Sequence, residues 1–151
     1  VRSRMWKDRT LDKTWIEEDI KHFSRHVPFG GASGLEDWVE LGIDWSDASF
    51  AMVIADVEGG TAKITLSDAT AGVQGLSATY DAGYVHPVSG AVVGATIIRP
   101  QIDETTFEGL EDWADPPVPL VWFYDLLVTP DGEPQRGYAR GSFTINPGAA
   151  D

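Results

Sequence analysis

The chain has 151 residues, 24 acidic and 11 basic side chains, a net charge of −13 and no cysteine. This length suits one typical domain, which buries about two thirds of the surface of its unfolded chain. Without cysteine there is no disulfide framework, thiol nucleophile or cysteine-based metal site, and the redox compartment is left undetermined. The apolar runs are too short to span a bilayer and the first residues carry charges, so we expect a soluble protein without a membrane partner that is not exported by the Sec route.

The charge is divided unevenly along the chain. Residues 1–30 hold seven basic and five acidic side chains, a net +2, whereas residues 31–151 carry −15. Because binding to phosphates needs clustered Lys and Arg, which the acidic part lacks, we expect no nucleic-acid partner. The basic arm suits the acidic body of a neighbouring copy or another acidic protein, since opposite potentials steer association. A solvated tail that serves only solubility is the alternative.

A short amphipathic helix is predicted within this arm, over about residues 14–25. The stretch Thr14–Glu17 has the spacing of a capping box, with acids in the first turn and bases in the last, and the helix would end before Pro28. The apolar side chains that form its stripe are Leu11, Trp15, Ile16, Ile20 and Phe23. So short a helix is marginal in water unless its apolar face docks on something. It docks either on its own β-domain or on another subunit, and in the second case it is, together with Trp6, an assembly arm.

A Gly-rich stretch follows the arm and is typical of a linker. The predicted organisation is therefore a basic arm at residues 1–30, a linker at 31–38, a β-sandwich at 39–148 and a short tail at 149–151.

Beyond the linker the sequence predicts seven short strands separated by turn signals. They are Val39–Leu41, Phe50–Ala55, Ala62–Leu66, Leu76–Tyr80, Val92–Ile98, Leu120–Val128 and Gln135–Ile145. The stretch Asp103–Leu110 has the pattern of a single helix that crosses between two sheets. Together these elements predict an all-β fold, an Ig-like antiparallel β-sandwich with one short crossover helix and an N-terminal helical arm.

The last two strands form a predicted hairpin. Leu120–Val128 is almost entirely aromatic or aliphatic, which favours a strand buried on both faces. A turn follows at Pro130–Gly132. The returning strand alternates, with Tyr138 and Thr144 on one face and Phe143 on the other, the period of a half-buried strand.

Specific motifs of this hairpin are Tyr124-Asp125-Leu126, Asp131-Gly132 and Arg140–Ile145 with Pro147. They resemble the end of the small Ig-like domains of tailed-bacteriophage structural proteins, the family of the baseplate upper protein N-terminal domain. The segment Ile43–Met52 is similar to the one that opens many such domains. The resemblance covers residues 39–148, whereas the first forty residues do not look like the family's short opening strand.

This resemblance implies a structural virion protein and not an enzyme. It would be made in the host cytoplasm and would belong to the tail, the baseplate or the fibre-attachment region. Its partners would be other virion structural proteins, contacted in many copies of a symmetric assembly through the N-terminal arm. Two alternatives stay open: a capsid decoration protein of the head, and a module that binds host glycans.

Two further tryptophans are candidates for contacts with a partner. The sequence Gly-Leu-Glu-Asp-Trp occurs twice, ending at Trp38 and at Trp113, but the flanks do not match, so we infer no duplication. Trp is favoured in interfaces because it buries a large area at little entropic cost, and core packing is the equally weighted alternative. The predicted interaction residues are Trp6, Leu11, Trp15, Ile16, Ile20, Phe23, Trp38 and Trp113.

Catalytic and metal motifs are weak in this sequence. His22 and His26 have the spacing of helical metal ligands, yet no third ligand is placed beside them. Asp44 and Asp47, even with the aspartates of the last hairpin, lack the ligand ladder of a calcium loop. There is no Gly-x-Ser-x-Gly, no P-loop and no dinucleotide fingerprint. We therefore predict no catalytic residue, no metal and no cofactor.

Overall fold

The computed structural model describes residues 5–8, 16–21 and 23–148. Within them the regular secondary structure is β-strand apart from one short helix. In chain order the elements are β1 (Met5–Asp8), β2 (Ile16–Glu17), β3 (Phe29–Gly30), β4 (Trp38–Leu41), β5 (Ser49–Ala55), β6 (Ala62–Ser67), β7 (Gly75–Asp81), β8 (Ala95–Ile102), α1 (Glu104–Glu108), β9 (Leu120–Thr129) and β10 (Arg136–Ile145). Side chains of β1 are outside this description.

The described strands form two five-stranded sheets, which we call sheet A and sheet B. In sheet A, β8 pairs with β7 along one side. Along its other side β8 pairs with two strands that lie end to end, β4 and β3. The free side of β4 pairs with β1. Sheet B has the order β2-β10-β9-β5-β6. Most pairs are antiparallel, and β1 with β4 and β2 with β10 are parallel.

The core lies between the two sheets. Alternation along β9 turns every second side chain inward, and those four are at most 4 % exposed: Trp122, Tyr124, Leu126 and Val128. Sheet A supplies Trp38 and Ile98 to the same cluster. The predicted all-β sandwich architecture is thus confirmed at this level.

One end of the core is filled by four phenylalanines. Phe143 of β10 lies 5.1 Å from Phe29 of β3 and 5.3 Å from Phe23, measured between ring centroids. Phe107 of α1 completes the cluster, 5.2 Å from Phe23. The helix therefore closes this end of the sandwich as the chain crosses from sheet A to sheet B, as predicted.

All seven predicted strands are present, with one clear shift. The fifth begins at Ala95, not at Val92, and runs on to Ile102. The β-branched pair Val92-Val93 favours a strand locally, but Gly94 has φ 70°, a left-handed conformation that interrupts it. Residues 82–94 instead form a projecting hairpin between β7 and β8.

The prediction that Leu120–Val128 is buried on both faces is wrong. Val121 is 56 % exposed and Asp125 is exposed, while Phe123 and Leu127 are partly buried. Only the inner face of β9 meets the other sheet, so its apolar outer face is left on the surface of sheet B.

The simple alternation predicted for the last strand is also interrupted. Tyr138 and Ala139, neighbours in sequence, are both fully buried. The register with β9 shifts between Gly137 and Ala139, which marks a β-bulge with Tyr138 as the extra residue. The bulge brings Tyr138 into the core, where its ring lies 5.7 Å from that of Trp45.

The helix predicted over residues 14–25 is not found in the described part of that range. Ile16–Glu17 form strand β2, and Ile20 and Ser24 continue as parallel bridges to Phe143 and Asn146. The edge of β10 offers backbone donors and acceptors to an extended chain, which a helix could not satisfy. We call residues 16–25 the N-terminal segment. Residues 14, 15 and 22 lie outside the described residues.

Both N-terminal strands cover sheet edges on the same side of the sandwich. At the opposite side β6 and β7 meet through the parallel bridge between Asp68 and Leu76. Since β1 and β2 are the far edges of sheets A and B, they share the remaining side. The described parts of the arm therefore pair with the domain of their own chain.

Gly141 of β10 allows the N-terminal segment to approach closely. A Cβ atom built on this glycine would overlap the backbone carbonyl of Glu18. We expect Gly141→Ala to displace the segment and to lower the free energy of unfolding by about 1–2 kcal/mol, as overpacking does. Hydrogen exchange should speed up at the Ile20 amide, which donates to the Ser142 carbonyl at 2.9 Å. In the control Gly83→Ala, the added Cβ would lie 3.5 Å from Asp81, and equal effects in both variants would contradict this account.

Candidate interaction surfaces

A groove of about 620 Å³ crosses the outer face of sheet B. Its floor includes Val53 of β5 and Phe123 of β9, both partly buried. One wall is formed by residues 17–19 of the N-terminal segment and the other by the turn at 57–60 that follows β5. With Arg140 and Gly141 of β10, four separate parts of the chain therefore build it.

The rim of this groove is acidic. Glu17, Asp19, Glu58 and Asp125 line it, and Arg140 is its basic residue. The Arg140 guanidinium lies 3.2 Å from the Glu17 carboxylate, an exposed pair. An anionic ligand would meet like charge at this rim, so the groove suits an uncharged or a basic occupant.

One rim carboxylate also holds the N-terminal segment in place. The pKa of Asp19 is lowered, chiefly because its carboxylate accepts the backbone N–H of Ser142 at 3.1 Å. A carboxyl whose pKa is lower in the folded chain stabilises the fold above its usual pKa of about 4. This contribution is lost as the pH falls through the folded pKa.

We therefore expect Asp19→Asn to flatten the acid dependence of stability. Wild-type unfolding midpoints should fall between about pH 5 and pH 2 more steeply than those of the variant. Urea titrations across this range measure the difference. The same change at Asp131, an exposed residue of the β9–β10 turn, is the control for loss of one negative charge. Parallel curves for wild type and Asp19→Asn would contradict the assignment.

The second surface is the hairpin of residues 82–94, which we call the valine hairpin. Four of its valines are exposed: Val85 by 51 %, Val88 by 78 %, Val92 by 67 % and Val93 by 36 %. Residues 82–98 contain no Asp, Glu, Lys or Arg, in a chain of which 23 % is charged. Four exposed valines in an uncharged stretch make this hairpin a candidate interaction site.

The valine hairpin is internally bonded. Val85 and Val92 form an antiparallel bridge at its base. At its tip, Nδ1 of His86 accepts the backbone N–H groups of Val88 at 3.1 Å and Ser89 at 3.2 Å. These bonds define the shape in which the valines are presented, so little conformational entropy is lost when the tip is bound.

Asp37 and Arg99 form a buried ion pair that the sequence did not indicate. Nε of Arg99 donates to one carboxylate oxygen at 3.0 Å and its second nitrogen to the other at 2.9 Å. The Asp37 side chain is 1 % exposed and that of Arg99 31 %. The pKa of Arg99 is raised, chiefly by the hydrogen bond to Asp37. This pair joins the start of β4 to β8 and has a structural role.

The arm residues predicted to contact a partner fall into two groups. Ile16 and Ile20 are buried, at 6 % and 1 % exposure, and Phe23 is partly buried against the same core. Their apolar side chains thus pack on the chain's own domain. Side chains of Trp6, Leu11 and Trp15 lie outside the described residues, and their contacts stay a prediction.

The two predicted tryptophans of the domain also pack inward. Trp38 is fully buried, and Trp113 is partly buried against the core. The Trp113 indole donates to the carbonyl of Phe107 at 2.8 Å, and the guanidinium of Arg25 lies 4.6 Å from its ring centroid. One face of this ring is therefore covered, which does not favour stacking of a sugar on it.

The weak metal candidates are not brought together. His26 contacts Glu108 at 2.7 Å. The pKa of Asp44 is lowered by hydrogen bonds from the side chain of Ser46 and from its backbone N–H, the latter at 2.9 Å. His22 lies outside the described residues. Across the described residues, no group of three or more His, Cys, Asp or Glu is arranged to hold a metal ion.

No protein-family model matches this sequence, and no curated protein matches it either. Among the described residues, no helix has the length and apolar character needed to cross a membrane.

Proposed function

We propose that this chain is a non-enzymatic structural component of a tailed-phage particle, built as an Ig-like sandwich and placed in the tail, the baseplate or the fibre-attachment region. One observation supports this most. The segments that resemble the phage family, Tyr124–Leu126, Arg140–Ile145 and Ile43–Met52, contribute to three adjacent strands, β9, β10 and β5, in the middle of sheet B. Motifs far apart in sequence thus belong to one continuous structural unit.

The arm has two parts in this proposal. Ile16, Ile20 and Phe23 fix it to its own domain, where they complete the core. Trp6, whose strand β1 also pairs with β4, and Leu11 and Trp15 precede this anchor and contact a neighbouring virion protein. A basic arm of +2 beside an acidic body of −15 supports contact with acidic neighbours.

If the particle holds many copies of this chain, weak single contacts are enough to keep each copy in place. In a particle with many copies, each contact is strengthened by the others, because later contacts form within an assembly that already holds the chain. The protein then serves as a spacer or platform between other virion proteins.

The experiment is to separate purified particles into heads and tails and to identify this chain in each fraction by mass spectrometry. We expect it in the tail fraction. Presence in heads alone would replace the tail assignment with capsid decoration. Absence from both fractions, with the chain detected in the infected-cell lysate, would contradict a virion role.

A further inference from the structure

The valine hairpin is suited to an apolar protein surface and to few other ligands. Its tip, Pro87–Gly90, has no charged side chain with which to hold phosphates or a metal ion. A bilayer surface is also a poor match, since the tip has no aromatic side chain and the chain carries −13. Val88 at the tip, 78 % exposed, can instead fill an apolar cavity in a protein partner.

The groove on sheet B has the matching character. Val53 and Phe123 give the groove an apolar floor below its acidic rim, to which Asp125 of β9 belongs. The groove's volume of about 620 Å³ is in the range of cavities that take a small ligand or a few side chains.

Charge selects between possible occupants of this groove. Two copies of a chain with net charge −13 repel each other, and an acidic loop placed at the acidic rim would add to that repulsion. Residues 82–98 are the longest stretch of the chain without Asp, Glu, Lys or Arg. The valine hairpin can therefore enter the groove of a second copy without bringing like charges together.

We propose that the valine hairpin of one copy docks in the sheet B groove of a second copy. Because the two surfaces differ, the contact is head to tail, and its repetition produces a ring or a filament. The inference rests on the proposed function, since it names the neighbouring subunit as an identical chain.

The first test is self-association of the full chain, measured by sedimentation velocity from micromolar to millimolar concentration. We expect oligomers that grow with concentration and that Val88→Glu weakens by roughly tenfold or more, the effect of a charge at a buried contact. The matched control is Val73→Glu, the same change at a valine 56 % exposed outside both surfaces. Thermal unfolding establishes that both variants remain folded.

Salt distinguishes an apolar occupant from a basic one. Apolar docking between acidic chains should persist or strengthen as salt rises, because screening reduces their repulsion. Association that salt abolishes and Val88→Glu leaves unchanged would mean that a basic segment fills the groove, and would overturn the proposal. A chain that stays monomeric throughout would also overturn it, while the particle fractionation would still decide the proposed function.

A second test identifies the contact itself. The chain has no cysteine, so one copy with Val88→Cys can be mixed with another carrying Glu58→Cys at the rim. We expect a mixed disulfide dimer under mild oxidation. A partner with Val73→Cys should give none above background, and equal yields from both partners would contradict docking in the groove.

Discussion

Replacing Phe143 by alanine is expected to lower the free energy of unfolding by about 3–5 kcal/mol, the usual effect of removing a buried phenylalanine side chain. Phe143 is fully buried and its ring contacts Phe23, Phe29, Phe107 and Tyr124. These partners come from the N-terminal segment, β3, α1 and β9, so the cavity would loosen four parts of the fold at once.

Thermal unfolding should show this as a fall in the midpoint on the order of 10 °C for a domain of this size. The control is Val121→Ala on the outer face of β9, where a side chain 56 % exposed should contribute little. Hydrogen exchange at the Asn146 amide, which donates to the Phe23 carbonyl at 3.2 Å, should rise in Phe143→Ala. Similar midpoints for the two variants would mean that the phenylalanine cluster does not hold this end of the sandwich together.

Loss of the buried carboxylate in Asp37→Ala is expected to destabilise the fold by about 3 kcal/mol, because it leaves the Arg99 guanidinium without its two-point partner. Asp37 directly precedes β4 and is fully buried, while Arg99 lies on β8. The pair therefore ties the adjoining strands of sheet A at the point where the chain enters the domain.

A double-mutant cycle with Arg99→Ala separates the pair from other effects of each change. We expect the double variant to lose clearly less than the sum of the single variants. Arg99→Lys keeps the positive charge but cannot donate two parallel hydrogen bonds to the carboxylate. We expect it to be more stable than Arg99→Ala and less stable than the wild type. Additive losses in the cycle would contradict a coupled ion pair.

The sequence predicted the elements whose signals are local. The strands flanking the Asp131-Gly132 turn are found as β9 and β10, and the crossover helix lies inside its predicted bounds. Turn residues and short apolar runs act within a few positions of the chain, so their effect does not depend on distant parts.

The N-terminal segment shows why local pattern was insufficient there. Ile16 and Ile20 are four positions apart, a spacing that puts two side chains on one face of a helix and also on one face of a strand. The choice was made by the edge of β10, whose backbone groups pair with Glu18, Ile20 and Arg25. No feature of residues 14–25 alone reveals that edge.

The candidate surfaces were missed for related reasons. The groove combines residues 17–19, β5 with its following turn, β9 and β10, which only the fold brings together. The valine hairpin did carry a signal, the absence of charge over residues 82–98, but its valines also favour a strand. For Trp38 the sequence left a partner contact and core packing equally open. The structure shows a fully buried core side chain.

The most direct test of a virion role is to count the chain in intact purified particles by quantitative mass spectrometry against isotope-labelled peptides. We expect many copies in each particle, in a whole-number ratio to the other structural proteins that share its symmetry. A chain that is abundant in the infected cell but absent from the particle would contradict the proposed function.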